Sequence, residues 1–232
     1  MNLGKRLQTI ANFIKPCNTL ADIGCDHGKL LLYLFENNII KNAIAADISE
    51  KSVNKACILL DKNEYKNYTV YVSDGFNNLT MDEILEINCI VVAGMGGQEI
   101  IKILTDLINI AGFTNLKNIQ FVLQPQHNDI NLRKFLNASK FTIVNDILVK
   151  EKNKYYSVIN LKYSGTMQNL SELELIFGID NVNSYNEDFY ECANEQLEKF
   201  ENYYKNSKNK DKKVLEYISN LEKVINKIKG NI

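Results

Sequence analysis

Between residues 19 and 126 a short apolar run recurs five times, and each run stops at an acidic, glycine-bearing or amide-bearing turn. The runs cover 19–22, 43–47, 70–72, 90–93 and 119–123. They end at Asp22, at Asp47, at Ser73-Asp74-Gly75, at Gly94-Met95-Gly96-Gly97 and at Gln124-Pro125-Gln126. Segments with helical spacing follow at 29–37, 50–60, 98–109 and 129–138. Before the first run, Leu3, Leu7, Ile10 and Phe13/Ile14 predict an amphipathic helix that Pro16 follows. Strands that alternate with helices build a parallel sheet, and such a sheet binds ligands at the carboxyl ends of its strands. The polar and glycine turns fall at those ends.

The next two runs, 141–149 and 155–163, alternate apolar and polar residues around Lys-Glu-Lys-Asn-Lys, the pattern of an antiparallel hairpin at a sheet edge. A dehydrogenase half-fold would have continued with another βαβ unit. The order predicts an α/β fold with the layout of a class I methyltransferase: a Rossmann-like, seven-stranded sheet with a terminal antiparallel hairpin. Ser164-Gly165 closes this first domain (1–165).

The remaining domain (166–232) changes character. Val214, Ile218, Leu221, Ile225 and Ile228 step by four, three, four and three, and Tyr190, Ala193, Leu197, Phe200 and Tyr204 repeat the step. A C-terminal two-helix antiparallel coiled coil is expected, reversing through the basic stretch 205–213. Such a hairpin has a seam but no core, so it docks, dimerises or reaches for a partner.

Apolar content of 45% and charged content of 24% suit a globular chain. No run approaches the ~18 apolar residues of a membrane span, and the N-terminus lacks a basic-then-apolar leader; both predict a cytoplasmic protein without membrane contact. The five cysteines are scattered, with no Cys-x-x-Cys pair and no nearby histidine, so neither a disulfide framework nor a metal site is expected. Net charge is −1, so any polyanion must be met by local patches. Candidates are Lys5 with Arg6; Arg133 with Lys134; Lys150, Lys152 and Lys154; and Lys205, Lys208, Lys210, Lys212 and Lys213.

The first turn reads Asp22-Ile23-Gly24-Cys25-Asp26-His27-Gly28. A dinucleotide fold asks for Gly-x-Gly-x-x-Gly to seat pyrophosphate on a helix N-terminus. Here the second glycine position holds Asp26, whose charge repels phosphate and suits a cation. The sulfonium and ammonium of S-adenosylmethionine are such cations. Asp47 follows Asp26 by 21 residues, the spacing at which an acidic side chain accepts ribose hydroxyls. Asp74 and Gly75 are placed to meet the adenine. Expected cofactor contacts are Arg6, as a carboxylate clamp, with Asp22, Gly24, Asp26, His27, Gly28, Asp47, Ile48, Asp74, Gly75, Ala93, Gly94 and Met95. The fourth strand end adjoins the transferable methyl, so Asp26, Gly94, Met95 and Gln124 are the expected catalytic group. Gln126 is a further amide for a base edge, whereas His127 reads as a surface residue.

These segments resemble the bacterial tRNA (adenine-22-N1)-methyltransferase family. The resemblance rests on Leu3-Gly4-Lys5-Arg6-Leu7-Gln8-Thr9-Ile10-Ala11, Ala21-Asp22-Ile23-Gly24-Cys25-Asp26-His27, Ser73-Asp74-Gly75-Phe76, Ala93-Gly94-Met95-Gly96-Gly97 and Leu123-Gln124-Pro125-Gln126. Departures are Cys25 for serine, Gly28 for alanine, Asp47 for glutamate and Gln126 for asparagine. The resemblance implies methyl transfer from S-adenosylmethionine to N1 of an adenine in the D-loop region of tRNA; a monomer or weak dimer is expected. The sheet pattern alone fits a methyltransferase for another RNA, a protein or a small molecule equally, or a non-catalytic S-adenosylmethionine-binding scaffold. A base paired inside folded tRNA has to flip out to react. Phosphate contacts would then come from the basic hairpin tip and an Arg133/Lys134 face.

Overall fold

The computed structural model describes residues 1–127, 129–207 and 210–230. Seven strands form one sheet: β1 (Cys17–Ile23), β2 (Ile40–Asp47), β3 (Tyr68–Val72), β4 (Cys89–Met95), β5 (Gln120–Pro125), β6 (Phe141–Glu151) and β7 (Lys154–Tyr163). Their order is β3-β2-β1-β4-β5-β7-β6. The first five pair in parallel, and β7 runs antiparallel to both β5 and β6. Chain order reverses between β1 and β4, so a crevice opens at their carboxyl ends. The expected seven-stranded sheet with its terminal hairpin is what the chain forms.

Helices α1 (Lys5–Phe13), α2 (Lys29–Glu36), α3 (Glu50–Lys62), α4 (Met81–Glu86), α5 (Gly97–Ala111) and α6 (Asp129–Ala138) cover the sheet. The central strands are apolar on both faces because both are buried. On β1, Leu20 packs with Ile10, Leu31, Leu34 and Leu60 from α1–α3. Its neighbour Ala21 points to the opposite face, among Ile100, Leu104, Leu107, Leu132 and Leu136 from α5 and α6.

The C-terminal part starts with two short helices, α7 (Glu172–Phe177) and α8 (Ile179–Asn183), and continues as the expected hairpin, α9 (Glu187–Asn206) and α10 (Lys212–Lys229). Lys208 of the basic stretch lies outside the described residues. The hairpin docks by its base: Phe177, Val182, Phe189, Ala193, Leu221, Val224, Ile225 and Ile228 form a third core against Leu148 of β6. Towards the tip its seam is thinner, with Phe200 edge-on to Tyr217 at 4.9 Å and Lys210 over the Tyr204 ring at 4.8 Å.

Polar bonds sealed from water fasten that base. Asn181 accepts the Leu148 amide at 3.0 Å and donates to the Phe177 carbonyl at 2.7 Å. Arg133 corrects an expectation. It does not present a basic face: it is 2% exposed, and its guanidinium pairs with both oxygens of Asp146 and donates to Ser157 and to the Ile176 carbonyl. Gly178 makes room for this pair. Its φ is +94°, and a Cβ there would lie 2.8 Å from the Asp146 carboxylate. Of the expected Arg133/Lys134 pair only Lys134 is exposed.

Candidate active site

Two adjoining hollows open at the carboxyl edge. The first, about 330 Å³, is lined by Arg6, Asp22, Gly24, Asp26, His27, Asp47, Ala93, Gly94, Met95 and Gln126, with Leu7, Cys25, Lys29 and Leu30. The second, about 260 Å³, is lined by Ile23, Gly24, Asp47, Ile48, Ser73, Asp74, Gly75, Met95, Glu99 and Ile103. Gly24, Asp47 and Met95 border both. The strand ends singled out in the sequence thus meet in one crevice.

Local folding explains each placement. Gly24 leaves β1 at φ +82°, and the Met95 side chain lies across it: a Cβ on Gly24 would sit 2.1 Å from Met95 Cε. Asp26 is itself left-handed, at φ +47°, and its amide donates to Asp47 Oδ2 at 3.1 Å. The second Asp47 oxygen accepts from the Ser49 amide at 2.9 Å, so this carboxylate is fixed at the junction of the hollows. Gly28, φ +69°, serves packing instead. It begins α2 against Ala56 of α3, where a Cβ would come within 3.0 Å, and it lines neither hollow.

Asp22 dominates the electrostatics. It is 4% exposed, and no hydrogen-bond donor among the described residues reaches its carboxylate. Burial, and then the negative charges of Asp47 and Asp26, push its pKa up to about 7. A carboxylate held unpaired in so dry a place is costly unless a cation meets it. Arg6 and Lys29 line the same hollow and give it a cationic side. Arg6 is held from three directions: its amide donates to Glu151 at 3.0 Å, its guanidinium lies 5.6 Å from the Tyr156 ring centre, and Nη1 donates to Gln124 Oε1. The β6–β7 hairpin therefore positions α1 over the crevice. His27 lies 2.8 Å from Lys55 Nζ and 3.4 Å from Asp26 Oδ1. In the second hollow Asp74 pairs with Lys102 at 2.7 Å.

Gln124 stands beneath the crevice rather than in it. The side chain is fully buried, with its carbonyl taken by Arg6 and its amide donating to the Pro125 carbonyl at 2.6 Å. Lys29 was not among the expected contacts, because a lysine at the first position of a helix reads as an exposed residue. Four thiols are kept protonated: burial raises Cys17 to about 11 and Cys192 to about 12, and drives Cys25 and Cys89 upward as well. Among the described residues no group of three His, Cys, Asp or Glu side chains is arranged for a metal, and no helix is long and apolar enough to cross a membrane.

The residues present fit an adenosine-bearing cation. Asp22 supplies a nearly dry negative charge, Arg6 and Lys29 supply a place for a carboxylate, and Asp47 offers acceptors between the hollows. A profile of the methyltransferase domain matches residues 3–159. A Mycoplasma pneumoniae protein provisionally named a tRNA methyltransferase is 38% identical over 77% of this chain and 81% of its own length. The tRNA (adenine(22)-N(1))-methyltransferase of Bacillus subtilis is 30% identical over 68% of this chain and 64% of its own. The solved structure of TrmK of M. capricolum, in complex with the natural cofactor product S-adenosyl-homocysteine, superposes with a TM-score of 0.84; it is 26% identical, with 97% of this chain and 99% of that one covered. With the strand-end motifs, the crevice and these relatives in agreement, the chain belongs to the methyltransferase-domain family and, within it, to the bacterial tRNA (adenine(22)-N(1))-methyltransferases.

Proposed function

We propose that this chain methylates N1 of adenine 22 in tRNA, with S-adenosylmethionine as donor. The observation that carries the reading is Asp22, a nearly sealed carboxylate without a hydrogen-bonding partner among the described residues, facing a hollow whose other walls suit the rest of that cofactor. Asp22 and Asp26 would face its positive charges, Arg6 and Lys29 its carboxylate, Asp47 its ribose hydroxyls, and Ile48, Asp74 and Gly75 its adenine. Bound there, S-adenosylmethionine supplies an electrophilic methyl group on a sulfonium.

The chain then has to align and to balance charge rather than move a proton. Adenine N1 offers a free lone pair, so no general base is required, and positioning with electrostatics does the work. Asp26 steadies positive charge beside the cofactor. Gly94, Met95, Gly96 and Gly97 give the acceptor base a low wall, and Gln124 acts through Arg6 by holding the guanidinium in place. Residues 1–165 form the catalytic unit. Residues 166–232 form the arm, whose Lys205, Lys210, Lys212 and Lys213 contact tRNA phosphates. The protein acts in the cytoplasm, as a monomer or weak dimer and without a metal.

Incubation of the full chain with labelled S-adenosylmethionine and bulk tRNA, followed by digestion to nucleosides, should place the label in 1-methyladenosine. Label in another nucleoside, or none in RNA, would overturn the proposal.

A further inference from the structure

The β5–α6 turn is laced to the glycine turn after β4. The Gln126 amide donates to the Met95 carbonyl at 2.8 Å, Gln126 Nε2 donates to the Gly94 carbonyl at 2.8 Å, and the Gly97 amide donates to the His127 carbonyl at 2.9 Å. These bonds fix the backbone of the turn and the Gln126 side chain beside the glycine turn. With Nε2 committed to Gly94, Gln126 Oε1 accepts from no donor among the described residues, and Gln126 lines the first hollow. The exposed His127 ring turns its Nδ1–Cε1–Nε2 edge onto Gly96, where a Cβ would lie 2.7 Å from Cε1. Gly96 has an ordinary backbone, φ −65° and ψ 147°, that any residue adopts. Its glycine is therefore needed for the ring and not for the turn. Among the described residues nothing hydrogen-bonds that imidazole.

An exposed aromatic ring, seated by a glycine beside a free amide oxygen, is the equipment for holding an unstacked base. We propose that His127 and Gln126 read the acceptor base. The His127 imidazole stacks on the flipped purine, and Gln126 Oε1 accepts from its exocyclic amine. That contact selects adenine, because guanine carries an oxygen in the amine's place. This inference rests on the proposed tRNA reaction and adds the residues that select its base.

The test uses the full chain, a tRNA transcript with adenine at position 22, and a second transcript with 2-aminopurine there. Stacking on one base corresponds to roughly 5- to 160-fold in kcat/KM. His127→Ala should lose about that much, His127→Phe should regain most of it with an unaltered pH profile, and Gly96→Ala, which displaces the ring, should resemble His127→Ala. Calorimetric affinity for S-adenosylmethionine should stay constant across the three. On wild-type protein the fluorescence of 2-aminopurine, whose amine sits at C2 rather than C6 and which therefore reports the stacking contact alone, should be quenched relative to His127→Ala. Wild-type kcat/KM in His127→Ala would overturn the reader while leaving the reaction intact. So would a His127→Phe variant as impaired as alanine, since it would assign the imidazole to proton chemistry. A wild-type chain that forms no 1-methyladenosine would overturn both.

Discussion

Asp22 and Asp146 are both withdrawn from water, at 4% and 0% exposure, yet they are treated in opposite ways. Asp146, at the base of the arm, has a guanidinium on both oxygens, and its neighbour Ser157 bonds in turn to Arg133 and Asp129. Asp22, at the end of β1, has no donor among the described residues, and burial followed by the charges of two further aspartates raises its pKa. A fold that satisfies one buried carboxylate so fully, and leaves another bare beside a hollow, separates structure from function within a single chain. The paired aspartate fastens the arm to the sheet. The bare one, when ionised, carries a cost that a cationic ligand relieves.

The sharpest way to break this contrast is Arg133→Met, which strands Asp146 without its partner. A loss of roughly 3–5 kcal/mol is expected in urea or thermal unfolding, and most of it should return when Asp146→Leu is added. The converse change, Asp22→Asn, should stabilise the ligand-free protein by roughly 2–4 kcal/mol at pH 8, since the raised carboxyl has to be held ionised there. The folded-state pKa lies above the unfolded one. Stability from this group is therefore complete near pH 4 and is lost as the pH rises through about 7, so the gain in the variant should vanish at acid pH. The same variant should bind S-adenosylmethionine at least tenfold more weakly by calorimetry; undiminished affinity would remove Asp22 from the site. The smallest effect is on the wild type itself. Cofactor affinity should fall by up to tenfold per unit as the pH drops below about 7 and Asp22 takes up a proton.

The sheet was legible because its strands end in residues that break an apolar run: Asp22, Asp47, Asp74, Gly94 and Gln124 stand at the carboxyl ends of five strands or just beyond them. Their amino ends were not. β1 begins at Cys17 and β2 at Ile40, each earlier than the apolar signal, because Asn18, Lys41 and Asn42 lie in exposed, polar stretches of strand. The helices α4 and α7 span less than two turns and show no period. Their only mark is the capping box, Thr80 with Glu83 and Ser171 with Glu174. Arg133 sits beside Lys134 on a polar helix and looks like surface. Its partner lies 13 residues on, in the next strand, where no local pattern points to it. Gln124 likewise ends its strand in the expected place, but only the arrival of α1 over the sheet shows that its side-chain carbonyl is taken by Arg6.

Met95 reaches across Gly24 where the two hollows join, and this thioether partitions the crevice. A small molecule confined to either hollow meets this side chain at one end, whereas one long enough to occupy both runs alongside it. Methionine, unbranched and with three rotatable bonds, swings aside at small cost. A ligand that spans both hollows therefore lies against Met95, the one long flexible side chain among the three residues that border both.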